Sequence, residues 1–184
     1  PGPLSHYGTT KLESEEAVRK ATDRHCIIRT AWLYGATGNN FLKAMLKKAL
    51  DNPSRPIKVV NDRYGSPTWA FRLALQIKRL IEGAYQGTFH ATAEGYCTWY
   101  ELASYFLDAM EVPHSVQPCS SSEYVTPAAR PVNSILKNQN LKKAGINLMQ
   151  DWCQDIDEFV LRCRDPLLNE LKKGEQRPTQ EQKK

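Results

Sequence analysis

No stretch of this 184-residue chain approaches the roughly 18 consecutive apolar residues that a membrane-crossing helix requires, and no secretory leader opens it. Paired cysteines are also lacking. Cys26, Cys97, Cys119, Cys153 and Cys163 are odd in number and form no Cys-x-x-Cys, which argues against a disulfide framework and for reduced thiols in a cytoplasmic protein. The four histidines show no metal-ligand spacing, so no metal site is read from these residues. Glycine punctuation is thin as well. Gly35-Ala36-Thr37-Gly38 is the only Gly-x-x-Gly, and Phe41 stands where the third glycine of a phosphate-cradling turn would be.

What is present is ordinary for a globular chain: 41% hydrophobic and 24% charged residues. The net charge of +5 is too diffuse to argue for nucleic acid. It suits a phosphate-bearing small molecule, and it equally suits solvated surface lysines. Part of it lies in residues 166–184, a polar stretch without aromatics that is expected to be a disordered tail.

Periodicity predicts helices over 7–21, from Asn40 through Leu50, from a Ser66-Pro67-Thr68 cap to Glu82, from Thr98 to before Pro113, and over 150–164. In the third of these, Phe71, Leu75, Ile77, Leu80 and Ile81 are expected to face inward. Thr98 and Glu101 have the spacing of a capping box. Short apolar runs predict strands at Cys26–Ile28, Pro56–Val60 and Gly87–Ala91, with a further short one at Ser115–Gln117. Helices alternating with short strands indicate an α/β fold around a mostly parallel sheet.

Within the first helix, Tyr7 and Lys11 stand four residues apart and share one face. An ammonium beside a phenol favours the ionised phenol, which makes the pair a proton donor to a carbonyl oxygen. The spacing alone is weak, because chance supplies on the order of one Tyr-x-x-x-Lys in a chain of this length.

Other segments supply context in a fixed order: Arg29-Thr30-Ala31-Trp32-Leu33-Tyr34-Gly35, Asn40-Phe41, Gly65-Ser66-Pro67-Thr68-Trp69, Gly87-Thr88-Phe89-His90, Cys97-Thr98-Trp99-Tyr100-Glu101 and Ala129-Arg130-Pro131-Val132-Asn133-Ser134. With Tyr7-Gly8-Thr9-Thr10-Lys11, this set resembles the C-terminal portion of the dTDP-4-dehydrorhamnose reductases, extended short-chain dehydrogenases/reductases of nucleotide-sugar metabolism. The resemblance implies the C-terminal part of a Rossmann-like NAD(P)-binding fold. Residues 1–62 would end the Rossmann-like domain, and 63–165 would mix a substrate-binding subdomain with returning Rossmann elements.

The same resemblance implies NADPH or NADH as cofactor and a dTDP-linked deoxy sugar as substrate. It also implies a homodimer, in some members with Mg2+ at its interface. Tyr7 would donate the proton, and Lys11 would assist it and hold the nicotinamide ribose, with Arg29 also on the cofactor side. Trp32, Asn40, Pro67, Thr68, Trp69 and Arg130 would contact the substrate, Asn40 and Arg130 at its phosphates. Trp32 also reads as a core aromatic, Asn40 and Thr68 as helix caps, and Arg130 as an exposed loop residue. The family's glycine-rich turn and its catalytic Ser or Thr precede the Tyr helix and are not among these residues, so the 184 residues alone are expected to be inactive. Two other readings stay open: a non-catalytic relative that regulates methionine adenosyltransferase, and an epimerase or dehydratase acting on another nucleotide sugar.

Overall fold

The computed structural model describes residues 2–3, 5–123 and 131–175. Among these, α1 (His6–Ala21) leads into β1 (Cys26–Arg29) and β2 (Leu33–Tyr34), followed by α2 (Phe41–Asp51) and β3 (Ile57–Val60). Then come β4 (Tyr64–Gly65), β5 (Thr68–Trp69), α3 (Ala70–Glu82), β6 (Gly87–His90) and β7 (Cys97–Thr98). The chain continues through α4 (Trp99–Ala109), β8 (Val116–Cys119), α5 (Gln139–Lys143) and α6 (Trp152–Glu175). No helix among the described residues is long and apolar enough to cross a membrane.

Strand pairing is parallel in β1–β6, β2–β5 and β3–β8, and antiparallel in β4–β7. These pairs form four separate two-stranded pieces, where the sequence suggested one mostly parallel sheet. Helices complete the burial that such short strands cannot supply. The larger core brings together Leu42 and Leu46 of α2, Leu102 and Phe106 of α4, Ile156 and Phe159 of α6, and Ile57 and Val59 of β3. A smaller core gathers Leu73, Leu80, Phe89, Leu141, Ile146 and Met149 under α3 and α5.

Three expectations need correction. Phe71 and Ile81 are exposed, whereas Leu73, Gln76 and Leu80 face inward. A hydrophobicity pattern misses this face because its centre is polar: Gln76 donates to the Ile146 carbonyl (3.1 Å) and accepts from the Leu148 N–H (2.7 Å). Thr68 lies in β5 and gives α3 no cap; Trp69 holds the N-cap position without a side-chain bond.

The third correction concerns the chain's end. Helix α6 passes through Pro166 to Glu175, so 166–175 is not a disordered tail. Leu167 is buried there, with Leu168 and Leu171 packed on the same core. Lys43 of α2 reaches Glu170 at 2.6 Å. The polar composition of the whole stretch conceals this short apolar face. Residues 176–184 lie outside the described residues.

Candidate functional site

Helix α1 begins at Ser5, whose hydroxyl accepts the Gly8 N–H at 3.2 Å. It buries none of its residues and is held to the body by Glu15. That carboxylate accepts a two-pronged pair of bonds from Arg29 (both 2.7 Å) and a third from Arg19 (2.7 Å), which also donates to Thr88 Oγ1 at 3.2 Å. Arg29, expected beside a cofactor, thus has its guanidinium engaged in fixing α1 to the end of β1.

These contacts orient the helix. Arg19 lies level with Thr88, the partner of Ile27, whereas Glu15 lies level with Arg29, the last residue of β1. Moving toward the start of α1 therefore moves toward the carboxyl end of the strand. Lys11 and Tyr7 stand about 6 and 12 Å beyond Glu15 at the usual rise per residue. Ligands of open α/β sheets bind on that side, outside the carboxyl ends of parallel strands. Tyr7 is 71% exposed, and the Lys11 ammonium lies 5.4 Å from its ring centroid, close enough for a cation–π contact.

The Glu15 attachment responds to pH. The bond from Arg29 holds the Glu15 carboxyl below its ordinary value of 4.5; burial opposes this, and Arg19 adds to it. The stabilisation is therefore full above that value and is lost as pH falls through the lowered one. Glu15→Gln should weaken the attachment by about 1–2 kcal/mol. The check is hydrogen exchange of the α1 amides at neutral pH, expected to quicken about tenfold; unchanged exchange contradicts the attachment.

Beyond the same, carboxyl end of β1 the chain turns sharply at Trp32, whose φ of 49° lies in the left-handed region. Its carbonyl accepts the Thr68 N–H at 3.1 Å. Its indole stacks on Trp99, with centroids 3.7 Å apart and planes 16° from parallel, and Phe41 packs on Trp99 at 4.6 Å. Trp99 is the first residue of α4, where the expected capping box is present: Glu101 N–H donates to Thr98 Oγ1 (3.2 Å), and Thr98 N–H donates to Glu101 (2.7 Å).

The remaining candidates play supporting parts. Asn40 caps α2: it accepts the Lys43 N–H at 3.2 Å and donates to the Gly35 carbonyl at 2.8 Å. Its side chain is therefore engaged within the loop that precedes the helix. Pro67 is buried, and Thr68 is fully buried with its hydroxyl on the Ser66 carbonyl. Trp69 is 4% exposed and packs edge-on to Phe159 at 5.8 Å. All three are thus buried, Trp69 within the larger core. Arg130 lies outside the described residues.

Sequence reasoning quoted Trp99 and Gly65 within motifs but assigned them no role, because the contacts that define them join distant segments. Among the described residues no three His, Cys, Asp or Glu of this chain stand together as a metal site. A surface hollow of about 480 Å3 lies between the end of α4 and α6 and contains none of the candidates.

Comparison with known proteins gives this geometry its relatives. The model of the RmlD substrate binding domain matches residues 1–164. A dTDP-4-keto-6-deoxy-D-glucose reductase of Streptomyces niveus is 34% identical over 169 residues, covering 91% of this chain and 56% of that protein. A dTDP-4-dehydrorhamnose reductase of Streptomyces griseus is 37% identical over 164 residues, covering 85% and 53%. The crystal structure of dTDP-4-dehydrorhamnose reductase from Bacillus anthracis in complex with NADP superposes with a TM-score of 0.83 at 34% identity, covering 88% of this chain and 56% of that one. The chain spans little more than half the length of these relatives. Its α/β architecture matches their C-terminal part, and the chain belongs to the RmlD substrate-binding domain family.

Proposed function

We propose that this chain is the substrate-binding and proton-donating portion of an NAD(P)H-dependent reductase acting on the C4 keto group of a dTDP-4-dehydro-6-deoxy sugar, dTDP-4-dehydro-L-rhamnose in the first instance. The observation that carries this reading is the exposed Tyr7–Lys11 pair beyond the carboxyl end of β1. Two side-by-side donors at that edge fit a nicotinamide nucleotide, which supplies the hydride when bound. Tyr7 then gives its phenolic proton to the carbonyl oxygen, and Lys11 stabilises the phenolate left behind. Trp32 lies against the sugar.

The 184 residues contain no glycine-rich phosphate turn, so by themselves they are expected to bind the nucleotide sugar without turning it over. Calorimetric titration with dTDP-L-rhamnose should show binding that Trp32→Ala weakens about tenfold, or about 1.4 kcal/mol. Absence of binding to the unaltered chain overturns the substrate assignment. Rapid NADPH oxidation by the chain alone with the keto sugar overturns the assignment of hydride delivery to residues outside it.

A further inference from the structure

Trp32 is a bulky residue in a backbone conformation that costs about 1–3 kcal/mol and persists only where the surroundings enforce it. Three separate segments do so. The Thr68 N–H holds its carbonyl, Trp99 covers its ring, and β4 passes beside it at Gly65.

Gly65 is the informative member. Its φ is not in the left-handed region, so its backbone would accept any L-residue. Yet a Cβ built there would stand 2.3 to 2.6 Å from three atoms of the Trp32 indole. The requirement for glycine therefore comes from the indole. Trp99 in turn has little freedom. The capping box fixes it as the opening residue of α4, Phe41 abuts its ring, and the β4–β7 register pairs Gly65 with Cys97 two residues before it.

We propose that Gly65 and Trp99 are positioning residues that preset Trp32 as a rigid wall of the nucleotide-sugar site. This rests on the reading that Trp32 faces the sugar. A wall fixed before binding removes the cost of ordering a large side chain when the ligand arrives. Specificity at this wall is then set by two residues that need not touch the ligand.

The pair has its own spectroscopic signature. Among the described residues Trp32 and Trp99 are the only stacked tryptophans, so an exciton couplet in far-ultraviolet circular dichroism reports their geometry. The test compares the full chain with Gly65→Ala, Trp99→Ala, Trp99→Phe and Trp32→Ala, measuring the couplet and the dissociation constant for dTDP-L-rhamnose. Gly65→Ala is expected to diminish the couplet and weaken binding about tenfold while leaving the helical signal intact. Trp99→Ala should abolish the couplet and weaken binding equally. Trp99→Phe should abolish the couplet yet restore affinity to within about twofold, because a ring again supports Trp32.

If Gly65→Ala keeps both couplet and affinity, the proposal is wrong even where Trp99→Ala does not fold. If Trp32→Ala weakens binding while Gly65→Ala and Trp99→Ala do not, only the positioning role fails. If Trp32→Ala binds as tightly as the unaltered chain, the placement of Trp32 at the sugar fails and takes this proposal with it.

Discussion

Replacing Arg72 by methionine should destabilise the protein by about 3–5 kcal/mol, the usual consequence of leaving a buried charge without its partner. Arg72 on α3 bonds Asp155 at 3.0 Å, Gln150 at 2.8 Å and Glu158. Its side chain is only 11% exposed and that of Asp155 is fully buried. Burial pushes the Asp155 carboxyl above its ordinary value of 3.8; Arg72 pulls it back, and Glu158 and Asp151 push it up again. Without Arg72 the carboxyl should rise further.

The sign of the pH effect follows. A carboxyl that holds its proton more tightly when folded favours the folded state as pH falls through its raised value. The deficit of Arg72→Met should therefore be greatest at neutral pH and shrink on mild acidification. Adding Asp155→Asn should recover part of it, since the unpaired charge is then gone. Urea unfolding at two pH values measures all of this; a deficit that grows on acidification contradicts the account.

Phe159→Ala should cost a similar 3–5 kcal/mol, through a cavity. Phe159 is 1% exposed on α6, and its ring meets Tyr34 at 5.2 Å, Trp69 at 5.8 Å and Phe106 at 6.3 Å. These partners come from β2, β5 and α4, so no single element can relax into the space. A domain of ordinary stability holds about 5–15 kcal/mol, so the loss should lower the urea midpoint markedly. Phe159→Leu, which keeps most of the volume, should lose less than half as much. Equal losses for the two variants contradict a cavity origin.

The features legible in the sequence are those that local chemistry decides. Asn40 and the Thr98–Glu101 box mark helix starts because their bonds close within three residues. The Ile156, Phe159 and Val160 spacing reveals a buried face because it repeats within one helix. The Tyr7–Lys11 pair reads correctly as neighbours for the same reason.

What stayed hidden is decided by distant partners. Gln76 looks like a surface residue until the Ile146 carbonyl and the Leu148 N–H arrive from another segment. The packing of Trp69 is invisible until α6 brings Phe159 against it. The ion pair of Arg29 is likewise unannounced in its motif, because Glu15 reaches it across the α1–β1 turn. Trp32 and Trp99 each look like a lone aromatic after a strand or cap, and only the pairing of β4 with β7 makes them a stack.

The bond between Lys43 and Glu170 joins positions 127 residues apart and has a consequence for biosynthesis. Lys43 also donates to the Ala36 carbonyl at 3.2 Å, so its ammonium fastens the loop before α2 to the last helix. On the ribosome, residues emerge at about 5–20 per second, which separates the two partners by roughly 6–25 s of synthesis. During that interval the loop lacks its far anchor. Emergence of α6 from the ribosome, and not the folding of the early segments, should set the moment at which it becomes fixed.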